Sequence, residues 1–141
     1  MTGVAAAGAA LLGGAAMAQA SVQDTAAPEP SKLFVVWSSG DPDVAHRVCL
    51  MYSHAAKTAG WFKDVKVIIW GPSQRIFAAD KDLQAKINAM RDDGIEVEAC
   101  IACANSFGLV EQLREMGLKV IGQGGPLTAA MKDPDTSVAY F

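Results

Sequence analysis

Cys100 and Cys103 lie three residues apart in Ala99-Cys100-Ile101-Ala102-Cys103-Ala104, and no other residues of this chain are better suited to chemistry. The segment from Val97 reads as a short buried strand that ends at a cysteine and is followed at once by residues that open a helix. A thiol in that place lies near the positive end of a helix dipole, where backbone N–H groups stabilise a thiolate. Cys103 is the lead residue: its thiolate would attack a sulfane sulfur, hold it as a persulfide and pass it to another thiol. The small neighbours Ala102 and Ala104 leave room for a reaction partner, and Asn105 and Ser106 can donate hydrogen bonds to the anionic sulfur. The competing reading is an inert cysteine packed at a strand end, since free cysteine is among the most buried residue types.

Cys100 is harder to assign. With the strand running through Ala102, three extended residues separate the two α-carbons by about 10 Å, whereas a disulfide needs less than about 7 Å. The two side chains would also point to opposite faces of the sheet. A thioredoxin-like pair has its first cysteine at the helix entrance and its second within the first turns, which this register does not provide. Cys100 is then either a buried neighbour or a second thiol that resolves the persulfide. A single C-x-x-C without a second pair or an H-x-x-x-H leaves a zinc shell incomplete, and no metal or cofactor is expected. Cys49, between Val48 and Leu50 in the middle of a helix, reads as core. His46 and His54 are two turns apart, too far for one metal; His46 is offered only a supporting role near the strand-end edge. Ser38, Ser39 and Ser73 have no acid–base partners nearby, and Gly122, Gly124 and Gly125 are sufficiently explained by turn geometry, with no Walker lysine or G-x-G-x-x-G after a strand.

The elements that must position these residues alternate strand and helix. Apolar runs predict strands at Lys32–Ser38, Val65–Trp70, Ile95 to about Ala102, Leu118–Ile121 and Ser137–Phe141. Helices are predicted over Val44–Ala59, with Val48, Met51, Tyr52 and Ala55 on one face, over Lys81–Arg91, and over about Phe107–Met116. Shorter helical turns are predicted at Arg75–Ala79 and Leu127–Lys132, with Asp41 or Asp43 capping the first helix and Gly60, Gly94 and Gly117 closing three of them. This order predicts an α/β fold, a single small doubly wound domain with a mainly parallel sheet of about five strands in a flavodoxin-like topology. Ligands of such sheets bind beyond the carboxyl ends of the strands. Ser38-Ser39-Gly40, Gly71-Pro72-Ser73, Cys103-Ala104-Asn105-Ser106 and Gly122-Gln123-Gly124 would all gather on that edge.

Length and composition bound the rest. The chain of 141 residues allows one domain. Residues 1–20 are Ala-, Gly- and Leu-rich, uncharged, and close on Ala18-Gln19-Ala20, the pattern of a secretory signal cleaved before Ser21, although no basic segment precedes it. The run is broken by Gly3, Gly8, Gly13 and Gly14, which disfavours a membrane anchor. Residues 21–31, with Pro28 and Pro30, read as a linker, leaving residues 32–141 as the domain. The net charge of −3 belongs to that mature part and offers no basic patch for nucleic acid or anionic lipid. Three cysteines leave at least one thiol unpaired in a periplasmic or secreted chain.

The pattern Val97-x-x-x-Ala102-Cys103-x-Asn105-Ser106, then a helix, then Gly117-Leu118-Lys119-Val120-Ile121 and a glycine-containing turn, resembles the DsrE/DsrF-like family. The resemblance extends over nearly all of Lys32–Phe141, including Trp70-Gly71-Pro72-Ser73. It implies a small doubly wound fold, assembly into a homotrimer or homohexamer, and a sulfur-carrying cysteine, which by motif match is Cys103. Cys100 departs from the commoner single-cysteine pattern, and the leader separates this chain from cytoplasmic relay members. The expected function is a sulfur-relay carrier that takes sulfur from a donor and passes it to an acceptor thiol on a protein or small sulfur compound. A carrier is favoured over a turnover enzyme because no positioned general base is visible. The alternatives are a thiol–disulfide redox protein using Cys100 and Cys103, or a non-catalytic oligomeric binding module.

Overall fold

The computed structural model describes residues 3–5 and 28–141; most of the expected leader and of the linker lie outside the described residues. Among the described residues five strands form one sheet: β1 (Lys32–Trp37), β2 (Asp64–Ile69), β3 (Glu96–Cys100), β4 (Lys119–Ile121) and β5 (Thr136–Tyr140). Their order is β4-β3-β2-β1-β5, and every ladder is parallel. The first three crossovers step the chain outward from β1 in one direction, so right-handed connections lay all their helices on the same face. These are α1 (Pro42–Val44), a π-helical turn (Ala45–Cys49), α2 (Leu50–Thr58), α3 (Ser73–Ala79), α4 (Lys81–Asp92), α5 (Ile101–Phe107) and α6 (Val110–Glu115). The return from β4 to the far side of β1 reverses direction and puts α7 (Gly124–Lys132) on the opposite face. The result is a small flavodoxin-like α/β domain with helices on both sides.

Alternation along each strand divides the interior. Leu33, Val35, Trp37, Val65, Val67, Ile69, Val97, Ala99 and Val120 face the six-helix side and pack with Leu50, Phe77, Leu83, Ile87, Met90 and Leu113 into the main core. Trp37 meets Phe77 edge to face at 6.5 Å. The α7 side holds a smaller cluster of Phe34, Val36, Ile68 and Ala130, flanked by Trp70, Leu127 and Val138. Because α7 is alone there, the same face of β3 carries charge instead of apolar bulk.

Three expectations need correction. β3 ends at Cys100, not near Ala102, and a helix starts at Ile101. Ladder partners explain this: β3 pairs with β4 only through Glu98↔Lys119, Ala99↔Val120 and Cys100↔Ile121, so the chain beyond Cys100 must satisfy its backbone internally. The helix predicted over about 107–116 is α6 and starts only at Val110; Phe107 instead ends α5, which Gly108, with φ of 67°, closes in the left-handed conformation. In the first helical stretch Ala45, Cys49, Leu50, Ser53 and Ala56 face the core, whereas Val48, Met51 and Tyr52 are exposed. Asp41 does cap that stretch, its Oδ1 accepting from the Asp43 amide at 2.8 Å.

Candidate functional site

The junction of β3 and α5 sets both cysteines. Cys100 is the last strand residue and the N-cap of α5, with extended backbone (φ −77°, ψ 121°); Cys103 lies within the first helical turn. This is the arrangement of a first cysteine at the helix entrance and a second one turn on, which the longer strand had ruled out. Cys100 is 4% exposed, Cys49 is fully buried, and Cys103 alone among the three is half-buried and open to solvent.

Donors to the Cys103 sulfur come from the neighbouring strand end. The loop after β2 brings the Gly71 amide and the Trp70 side chain against it. Gly71 has φ 66°, a left-handed conformation that glycine adopts without strain. Ser73, fully buried, holds this loop to the sheet: its Oγ donates to the Trp37 carbonyl at 2.6 Å and accepts from the Trp70 amide at 3.0 Å. Burial pushes the Cys103 thiol above its ordinary value, Gly71 pulls it down, and the adjacent Cys100 thiol pushes it up again. The thiolate stabilisation expected from the helix entrance is therefore outweighed: desolvation of a half-buried sulfur beats the few donors that reach it.

Asn105 and Ser106 are exposed on α5, and the Ser106 hydroxyl donates to the Ala102 carbonyl at 3.0 Å. Ala102 is exposed beside Cys103, while Ala104 is buried in the core. His46 lies 3.6 Å from Asp80, and His54 sits between Asp93 (2.6 Å) and Lys86 (2.7 Å), both away from the cysteines in their pairings. Ser38 donates to the Phe141 carbonyl at 3.0 Å, where β5 ends beside β1.

Two buried polar groups next to this junction were not singled out from the sequence. Gln74, fully buried on α3, donates through Nε2 to the carbonyls of Ile69 (3.0 Å) and Cys100 (2.9 Å), so one amide ties the ends of β2 and β3 together where α5 begins. Glu98, two residues before Cys100 on the same face of β3, is 1% exposed. It accepts from Gln123 Nε2 at 2.7 Å and pairs with Lys66 at 3.0 Å and Lys119 at 3.1 Å. Burial disfavours its charge, but Gln123, Lys66 and Lys119 overcome this and bring its pKa down to about 2. The available signal was a glutamate inside the apolar run Val97-Glu98-Ala99, which demands a partner.

A doubly wound α/β domain with an accessible cysteine at a strand-to-helix junction, backed by a second buried thiol, is the class that fold and site define. The sequence matches the DsrE/DsrF-like family over residues 31–136, and the chain belongs to that family. A solved structure of a conserved protein of unknown function from Bacteroides thetaiotaomicron is similar, with TM-score 0.73 and 31% identity, covering 79% of this chain and 95% of that one. Among curated proteins, none matches this chain. Family membership connects the protein with sulfur relay in general.

Proposed function

We propose that this protein is a sulfur-relay carrier that holds sulfane sulfur as a persulfide on Cys103. One observation carries the reading: Cys103 is the one cysteine that solvent reaches, and the Gly71 amide and Trp70 side chain meet its sulfur. In loading, the Cys103 thiolate attacks the outer sulfur of a persulfide or polysulfide; the new S–S bond forms as the donor's bond breaks and the donor leaves as a thiolate. Transfer repeats the step with an acceptor thiol as nucleophile and Cys103 as leaving group. The raised thiol pKa suits a carrier that stays unreactive until a donor is docked. Asn105 and Ser106, exposed on the adjoining helix, would contact the donor or acceptor rather than the resting sulfur. The leader favours a periplasmic or secreted setting. The exposed Val48, Met51 and Tyr52 supply apolar surface for a homotrimer or homohexamer.

The test is mass spectrometry of the chain from Ser21 onward after incubation with polysulfide or thiosulfate. One added sulfur atom on the Cys103 peptide, removed by reductant and transferable to a second thiol, is the expected result. Cys103→Ser retaining full sulfur transfer would overturn it.

A further inference from the structure

We propose that Cys100 resolves the persulfide on Cys103, expelling its outer sulfur as hydrosulfide and closing a Cys100–Cys103 disulfide; this rests on Cys103 being the loading thiol. The N-cap residue and the third residue of a helix have α-carbons about 5 Å apart, from the rise and radius of the helix. That separation lies within the range a disulfide spans without backbone movement. The two thiols are close enough for Cys100 to push up the Cys103 thiol. Accessibility divides their roles. A donor reaches Cys103, while Cys100, 4% exposed, is screened from donors and has Cys103 as its sulfur neighbour. Gln74 holds the Cys100 carbonyl and the end of β2, which keeps the junction in place while the side chains react. Cys49 cannot substitute: it is fully buried on the π-helical turn, with a thiol pushed up to about 12 by burial.

The step balances within the protein. Cys100 Sγ attacks Cys103 Sγ, the inner sulfur of the persulfide anion. The Cys100–Cys103 S–S bond forms as the bond from Cys103 Sγ to the outer sulfur breaks. The outer sulfur takes that electron pair and the Cys100 proton and leaves as hydrosulfide. The two cysteine sulfurs end as a disulfide, and a dithiol reductant reopens the pair for the next cycle. Sulfur can thus leave in two ways, to an acceptor thiol when one is docked and as hydrosulfide when none is.

Wild type, Cys100→Ser and Cys100→Ala are loaded anaerobically with polysulfide, desalted into thiol-free buffer, and alkylated at intervals for mass spectrometry and hydrosulfide assay. In wild type the added sulfur on Cys103 should decay to a chain lighter by two hydrogens, with Cys100 and Cys103 in one linked peptide and one hydrosulfide released per chain. Both variants should keep the persulfide at least about ten-fold longer, because they lose an intramolecular nucleophile, and should release no hydrosulfide. Mapping the linked peptide in wild type needs no variant, so a misfolded variant does not spare the proposal. A wild-type persulfide as durable as that of the variants, with no linked peptide, overturns this step and leaves the carrier standing. Absence of added sulfur on Cys103 in all three proteins overturns the carrier itself.

Discussion

Replacing Glu98 with glutamine should remove most of one acid-sensitive contribution to stability. Glu98 is 1% exposed and its pKa falls from the ordinary 4.5 to about 2 through Gln123, Lys66 and Lys119, against the opposing effect of burial. A carboxyl held that far down contributes about 3 kcal/mol of folding free energy at neutral pH. Lys119 is 64% exposed and screened by water, so about 2–3 kcal/mol is the working figure. The sign follows from linkage: the stabilisation is complete above the ordinary carboxylate value and is lost as pH falls from 4.5 through about 2. Between pH 7 and pH 3 wild type should lose about 2 kcal/mol from this group, and Glu98→Gln none of it. In urea unfolding followed by circular dichroism, that is a midpoint change of about 1 M that the variant lacks. Asp80, Asp133 and Asp135 also have lowered pKa values, but both proteins share them and they cancel in the comparison. Equal pH 7-to-3 losses in the two proteins would refute the reasoning.

Alkylation of the native protein by iodoacetamide should modify Cys103 before Cys100 and Cys49, and its rate should still be rising above pH 9, since burial raises the thiol and only the thiolate reacts; peptide mapping across a pH series checks both points. Ser73→Ala removes the buried hydroxyl that ties the Trp37 carbonyl to the Trp70 amide, but these two groups still pair with each other at 2.9 Å, so it should cost about 0.5–1.5 kcal/mol in thermal or urea unfolding. Met51→Asp places a charge on the exposed apolar face of α2 and tests the proposed homo-oligomer: a lower mass than wild type in light scattering, with an unchanged circular dichroism spectrum, is the expected outcome, and an equal mass counts against that face as the interface.

Much of the fold was legible because burial imposes period. In β1, Leu33, Val35 and Trp37 face one core and Phe34 and Val36 the other, so a strand covered on both faces is apolar throughout and stands out from its neighbours. The strand-end turn Gly71-Pro72-Ser73 was readable from its residue types, and so was its gathering on the edge that carries Cys103. The direction of the first helical stretch was less legible. Val48, Met51 and Tyr52 share a face, but the core takes the opposite one, with Ala45, Cys49, Leu50 and Ala56, and helical period alone does not say which of two partly apolar faces is buried.

By itself the sequence determined an alternating α/β chain with three cysteines, one of them placed at a strand-to-helix edge, since these follow from local pattern and composition. Only the tertiary structure decided where strand gives way to helix. Ile101-Ala102-Cys103-Ala104 is apolar, and the N-cap Cys100 makes no side-chain capping bond, so neither periodicity nor a cap separates the two states there. The decision belongs to β4, a strand of three residues whose ladder with β3 stops at Cys100. Once that ladder ends, backbone groups find partners only along their own segment, the chain coils, and two cysteines that an extended strand would hold apart come to share one helical turn.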